Sequence, residues 1–216
     1  MLRVGSPKRL LVVAPHSDDE VIGAYTLIRR LRRRGVAVRV VVVTDGAASH
    51  PSSLRWPRGR LVAERRCESR RALHRIGVAA AAVAFLGLPD GNLHTRAAAA
   101  RRGLSRAIGH VHMTLIAVPF EGDDHPDHRT VAACVAALRR PGLRKIAYPV
   151  WPTGQRPIGA RKLSLTAQER LAKRHAVRGY RTQTGQITDD PDGFAMTRQQ
   201  IAAFTRPREM FVELPR

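Results

Sequence analysis

The sequence predicts an α/β fold, a Rossmann-like three-layer sandwich with a mostly parallel sheet. Two observations predict it. Short apolar runs of strand length alternate with longer amphipathic runs through the first 150 residues, and that alternation marks successive β-α-β units. Parallel strands joined by helices need right-handed crossovers, which leaves a doubly wound sheet with helices on both faces.

Residues 9–14 (RLLVVA) have the length and branched content of a buried strand. Residues 20–34 are amphipathic and are followed by Gly35, so they read as a helix with glycine beyond its last turn. Residues 38–43 (VRVVVV) form the second strand, and 60–76 a helix stopped by Gly77. Residues 83–86 are the third strand, 97–110 a helix and 115–118 the fourth strand. Residues 126–139 are helical, with Pro126 at the first helical position, where its missing N–H costs nothing. Residues 145–149 make a fifth strand. The last third is less regular: 165–179 and 198–204 read as helices and 209–214 as an edge strand. Residues 44–59 make a long loop for a compact domain, and such loops often bind ligands. At 216 residues one domain is expected over 1–216, with its core at about 9–150 and 151–216 completing the pocket.

Composition excludes several functions. No run approaches the roughly 18 apolar residues needed to span a bilayer. The first eight residues are short and basic, and the apolar run after them is too brief for a secretory signal, so a cytoplasmic location is expected. Cys67 and Cys134 lack metal-binding spacing and are expected to be reduced, packed thiols. No G-x-G-x-x-G follows the first strand; the carboxylates that stand there would repel a pyrophosphate, which argues against a dinucleotide. The formal net charge is +21, almost entirely arginine. Those arginines are spread along helices (Arg29, Arg30, Arg32, Arg33 and Arg34; Arg101, Arg102 and Arg106; Arg139 and Arg140) with no aromatic residues between them to stack bases. Solvated helix faces are therefore expected rather than a nucleic-acid site.

Two clusters carry the chemistry. His16-Ser17-Asp18-Asp19-Glu20 follows the first strand, and Asp123-Asp124-His125-Pro126-Asp127-His128 follows the fourth. Both lie at carboxyl ends of strands, where open α/β sheets bind ligands, so they converge on one crevice. Helix capping by Ser17 or Asp18, with Glu20 at the positive helix end, accounts for one or two of the acids. It leaves His16 and the rest of the set unexplained. Consecutive acids repel, and a divalent cation among them relieves the repulsion. His125 and His128 are three apart and share one side of a helical first turn.

Together these clusters resemble the PIG-L/LmbE-like family of zinc N-deacetylases. The family's (A/S)-P-H-x-D-D-E signature corresponds to Ala14-Pro15-His16-Ser17-Asp18-Asp19-Glu20, and its H-P-D-H to His125 through His128. Thr44-Asp45-Gly46, Arg65 and Glu68 ahead of Ile76-Gly77-Val78, and Phe85 through Gly91 match in order between them, with a weaker echo at Lys173-Arg174 and Tyr180 through Gln183. Position 17, often proline in the family, is serine here. The resemblance implies an LmbE-like fold and a hydrolase acting on the N-acetyl or other N-acyl group of a small amino-sugar conjugate. It implies His16, Asp19 and His128 as ligands of Zn2+, with Fe2+ or another divalent metal as the alternative. It implies Asp18 as general base, His125 as stabiliser of the transition state, and Arg65 and Asp90 as substrate-binding residues. Two imidazoles and a carboxylate leave zinc an open position, as catalytic sites require. Asp18 adjoins Asp19 and is placed to take a proton from the attacking water. His125 is expected to act protonated, kept charged by Asp124 or Asp127 nearby.

His50 and His94 are expected in loops near the crevice, and Trp56 and Trp151 as residues that stack on a sugar or pack. Tyr180 is expected to shape the pocket, and His74, His110, His112 and His175 read as surface residues. Two rival functions use the same residues differently. Two histidines and a carboxylate also make the facial triad of non-haem iron enzymes, though that chemistry has no need of Asp18 as a base. A protein that binds nucleic acid or anionic surfaces, with a vestigial site, would account for the charge but not for an intact ligand set.

Overall fold

The computed structural model describes residue 2 and residues 4–110, 112–138, 140–151 and 157–215. Seven strands form one sheet, β1 Arg9–Ala14, β2 Ala37–Thr44, β3 Val83–Leu88, β4 Thr114–Pro119, β5 Leu143–Tyr148, β6 Arg161–Ser164 and β7 Arg208–Glu213, in the order β3-β2-β1-β4-β5-β7-β6. The first five run parallel, and β7 is antiparallel to both β5 and β6. The helices are α1 Asp19–Arg33, α2 Arg58–His74, α3 Ala97–Ile108, α4 Pro126–Ala136, α5 Ala167–Arg178 and α6 Arg198–Phe204. This is the mostly parallel α/β sandwich expected. None of the described helices is long and apolar enough to cross a membrane.

β1 lies between β2 and β4, pairing Arg9 with Ala37 on one side and with Thr114 on the other. Its side chains alternate between two cores. Leu10, Val12 and Ala14 join the α1 side with Val21, Leu27 and Ile28, while Leu11 and Val13 meet Leu104, Ile108, Val131 and Val135 of α3 and α4. That alternation makes the three layers. The chain leaves β1 towards β2 and β3, then returns to β4 on the far side, so the strand order reverses between β1 and β4. A crevice opens at the carboxyl ends of strands at such a reversal.

Two expectations about the last third need correction. Residues 209–214 were expected to be an edge strand, but β7 is interior and β6 forms the edge. β6 reads RKLS, four residues of which three are exposed, so it carries no apolar alternation to announce it. The helix expected to reach residue 139 ends at Ala136, and Arg139 itself lies outside the described residues. Cys67 is exposed rather than packed, while Cys134 is buried; both are free.

The C-terminal third is fastened to α1 by a buried ion pair. Lys173 of α5 donates to Glu209 of β7 at 3.0 Å and to the Ile22 carbonyl at 2.7 Å. Glu209 in turn accepts from the Thr26 and Leu27 backbone N–H groups at 2.8 and 3.1 Å. Both charges are thus met by peptide groups as well as by each other, which a buried pair needs to offset its desolvation. Next to this pair, Tyr148 lies across α1 and donates its hydroxyl proton to the Val13 carbonyl at 2.6 Å. The ring fits only because residue 23 is glycine: a Cβ there would sit 2.0 Å from a ring carbon of Tyr148. Gly23→Ala is expected to destabilise the fold by about 1–3 kcal/mol, the usual cost of overpacking, read as a lower urea midpoint. In a Tyr148→Ala background, itself less stable, the added cost of Gly23→Ala should shrink, because the clash partner is gone.

Candidate metal centre and catalytic cavity

The segment after β1 is built around an acid in an unusual conformation. Asp18 has φ 142°, outside the range that side chains normally accept, and caps α1 through its carbonyl, which accepts from Val21 and Ile22. Such strain costs about 1–3 kcal/mol and persists only where the surroundings impose it. Glu20 helps impose it. Fully buried, its carboxylate accepts from the Asp18 N–H at 3.0 Å, the Ser69 hydroxyl at 2.5 Å and the Tyr180 hydroxyl at 2.8 Å. Arg65, 3% exposed, completes the brace by donating to the Ser17 carbonyl at 3.2 Å and the Gly46 carbonyl at 2.9 Å. Gly46 has φ 71°, and a Cβ there would fall 2.8 Å from the Arg65 guanidinium. Glycine is what lets the loop after β2 close over this arginine.

The ends of β1 and β4 meet as expected. His16 Nδ1 lies 3.2 Å from Asp19 Oδ2, His128 Nε2 lies 3.2 Å from the same oxygen, and the two ring nitrogens are 3.3 Å apart. A tetrahedral ion with bonds of about 2.0–2.1 Å separates its ligands by about 3.3 Å. The triangle therefore has the edge lengths of one face of such a tetrahedron. Each imidazole also faces a carboxylate with its other nitrogen. His16 Nε2 is 3.0 Å from Asp90 and 3.3 Å from Asp127. His128 Nδ1 is 3.3 Å from Asp123, close enough for charge attraction though off the hydrogen-bond line. Carboxylates behind imidazoles hold the ring proton on the outer nitrogen and leave the inner lone pair free for a cation.

The acids behind the rings are anchored by backbone. Asp127 accepts from the Gly91 and Leu93 N–H groups at 2.8 and 2.9 Å. Asp123 accepts from His125, Val150 and Trp151. Asp90 accepts from Ala48 at 3.0 Å. Asp90 and Arg65, expected to grip substrate, thus both line the cavity while bound to its framework. Asp124 is exposed and contacts neither His125 nor His16 through its side chain. Asp123, given no role by the sequence, is the acid that backs His128; its place directly after the fourth strand was the available signal.

His125 is held in the opposite way from the expectation. Its Nδ1 accepts from the Asp127 N–H at 3.2 Å, which puts the ring proton on Nε2. Burial, with the charges of His16 and His128, lowers its pKa to about 4. The Asp127 carboxylate bonds His16 instead, and its charge on His125, though favourable to protonation, is outweighed by burial and by the charges of His16 and His128. For His128, burial opposes protonation, but Asp19 and Asp123 outweigh it and raise the pKa to about 9. Burial lifts the Asp18 carboxyl well above the usual carboxylate range, and the Asp19 charge adds to this against Arg65. Among the described residues no hydrogen bond reaches the Asp18 carboxylate, and its nearest cation is Arg65 at 3.8 Å.

These groups line a cavity of about 220 Å³. His16, Asp18, Asp19 and His125 make its floor, and Ile22, Ser49, Trp151, Gln183 and Phe194 are among its walls. Trp151 stands edge-on to Phe194 and Phe204, with ring centroids 5.7 and 5.3 Å away. Trp56 instead packs with Leu61 and Ile187. His50 is buried beside Ser49, and His94 is exposed over α3 and α4; neither lines the cavity. Tyr180 stands behind Glu20, and His74, His110, His112 and His175 are exposed. Gln183 closes the stretch that echoed the family pattern, while Phe194 comes from the C-terminal third through tertiary contacts that no local pattern announces.

The raised His128 pKa has a consequence for stability. A base whose folded pKa exceeds its unfolded value stabilises the fold below the unfolded pKa and loses that contribution as pH rises through the folded one. Chelator-treated protein should therefore lose thermal stability between pH 6.5 and about 9. His128→Gln should flatten that stretch of the curve.

The comparisons place this geometry. N,N'-diacetylchitobiose deacetylase of Pyrococcus horikoshii superposes with a TM-score of 0.71 at 21% identity, covering 97% of this chain and 84% of its own. A deacetylase solved in complex with teicoplanin, from the teicoplanin biosynthesis pathway, gives 0.70 at 17% identity, covering 95% and 97%. The 4-carboxy-2-hydroxymuconate hydratase GalB of Pseudomonas putida KT2440 gives 0.63 at 17%, covering 92% and 83%. These likenesses establish the fold, and the hydratase shows that the fold alone does not fix the reaction. The comparison with curated proteins finds no match. Residues 11–138, which hold both clusters, match the family described as PIG-L, GlcNAc-PI de-N-acetylase, and the chain belongs to that family.

Proposed function

We propose that the chain is a metal-dependent hydrolase that removes an N-acetyl group from a small amino-sugar conjugate. One observation carries the reading: three donor atoms at tetrahedral spacing stand beside the buried Asp18 carboxylate, which no hydrogen bond among the described residues reaches. His16 through Nδ1, Asp19 through Oδ2 and His128 through Nε2 would hold one divalent cation, with Zn2+ the first choice for this donor set. A cation there supplies a Lewis acid that acidifies water and polarises an amide carbonyl. Deacetylase neighbours and the family support the amide as substrate.

Asp18 takes the proton of the attacking water. Its raised pKa makes it a stronger base than an exposed carboxylate, and the acid so formed has a proton to give to the departing amine. His125 stays neutral and offers its Nε2 proton to the amide oxygen as charge develops there. A donor in that role typically contributes about 3–4 kcal/mol. Asp90, Asp127 and Asp123 orient the two ligand imidazoles, and Arg65 holds the Asp18 turn. Trp151 and Phe194 give the sugar an apolar wall and keep bulk water out. An iron-dependent oxidation would leave Asp18 without a task, which favours hydrolysis over that use of the triad.

The decisive experiment is a screen of N-acetylated sugar conjugates with zinc-loaded protein, detecting released primary amine; no amine from any conjugate would sink the reading. Asp18→Asn should keep its bound zinc and lose about 10²–10⁴ in kcat; full activity would remove Asp18 as base. Asp127→Asn should weaken metal affinity by about 10–100-fold through His16, measured by competition with a chromogenic chelator.

A further inference from the structure

The arginines of α1 do not share one environment. Arg30 is bound to Glu169, Arg32 donates to the Gly77 and Val36 carbonyls, and Arg34 donates to the Gly5 carbonyl. Arg29 is half-buried, and its Nη1 is buried with no acceptor among the described residues. Four residues earlier, on the same face of α1, stands Tyr25. It is 4% exposed, and its hydroxyl makes no hydrogen bond among the described residues. A buried tyrosine usually finds a partner for its hydroxyl.

Both side chains line a groove of about 420 Å³ between α1, α5 and the end of α2. Gln168, Leu171 and His175 of α5, three and four residues apart, form its long wall. Arg75 and Ile76, just past α2, belong to the opposite side. Arg75 is exposed and has no ion pair among the described residues, whereas Arg71, one turn earlier, is bound to Glu64. Leu171 is 60% exposed, and Ile76 is buried. No acid lines the groove. The charge of Glu209 reaches the Tyr25 phenol, as do those of Arg29 and Arg75, but Glu209 is already taken by Lys173 and the α1 backbone. The groove thus gathers two guanidiniums and a phenol beside an apolar surface, and what it lacks is an acceptor. An oxyanion supplies several acceptors at once and turns the repulsion between guanidiniums into a shared attraction. The groove has no wall in common with the catalytic cavity. Arg29 lies ten residues past Asp19 on α1, about 15 Å along the helix, so a small ligand held there does not reach the metal centre.

We propose that this groove binds a small organic oxyanion, its phosphate or carboxylate held by the Tyr25 hydroxyl, Arg29 and Arg75 and its apolar part lying against Ile76 and Leu171. The site does not depend on the deacetylase reading, because no step of the hydrolysis uses these residues. Its test is calorimetric titration of zinc-loaded protein with phenyl phosphate, benzoate and inorganic phosphate. At 0.15 M salt, diffuse attraction to a highly charged surface is screened beyond about 8 Å. Saturable binding of phenyl phosphate or benzoate is expected, and the probe that binds identifies the anionic group. The Tyr25→Phe/Arg75→Gln variant loses one hydroxyl and one exposed side chain, and it should bind that probe about tenfold more weakly or worse. Arg75→Gln alone should show part of the fall. Arg102→Gln, which removes the same charge from an exposed position on α3, should show none. Inorganic phosphate, which has no ring, should bind more weakly than phenyl phosphate; equal affinity removes the apolar contact from the proposal. No saturable binding of any probe, an unchanged affinity in the double variant, or an equal fall in Arg102→Gln overturns the site.

Discussion

The repulsion among buried acids is the constraint on which the site depends. Asp18, Asp19, Glu20, Asp90, Asp123 and Asp127 crowd into a desolvated space with three imidazoles. A buried carboxylate without partners costs several kcal/mol, so the surrounding chain must supply donors to each. It does so one acid at a time. Asp127 takes two backbone N–H groups from the loop after β3, Asp123 takes two from the chain after β5, and Glu20 takes two hydroxyls from distant elements. Asp19 receives the His16 backbone N–H at 2.8 Å and attracts both imidazoles. Asp18 alone is left without a hydrogen-bond donor among the described residues, and it faces the cavity. The framework gives a hydrogen-bond donor to each of the other acids and none to the one we propose as the base.

The parallel sheet makes this arrangement possible. Five parallel strands deliver their carboxyl ends to one edge, so backbone donors from the loops after all five reach the same volume. The helix that begins there, α1, starts from a strained residue because Glu20 pulls the preceding N–H inward and Arg65 holds the carbonyl before that. Strain at Asp18 is thus fixed by two buried charged groups, Glu20 behind the cavity and Arg65 in its wall, and the orientation of the carboxylate follows from it.

Most of the frame was legible in the sequence because the strands β1 to β5 are apolar runs and the first two helices between them are followed by Gly35 and Gly77. The two acidic clusters were legible because both follow strands whose carboxyl ends face the same way. What the sequence hid has physical reasons. β6 is a polar, exposed ribbon with no periodic signature. The state of His125 turns on one backbone N–H bonding its ring, and charge proximity along the chain suggested the reverse. Arg65 and Asp90 stand in the right place, but their partners are carbonyls and amides of distant loops, which residue type does not reveal. The cavity wall Phe194 comes from an irregular segment whose position is set by tertiary packing.

The Lys173–Glu209 pair bears on how such a domain can change over time. Its two halves sit on different elements of the C-terminal third, while its remaining contacts are peptide groups inside the first helix, one to two turns beyond Asp19. The cavity walls therefore cannot be exchanged as an independent module between relatives. A grafted C-terminal segment would have to bring both charges or neither, since one alone would be stranded against the helix that begins at Asp19.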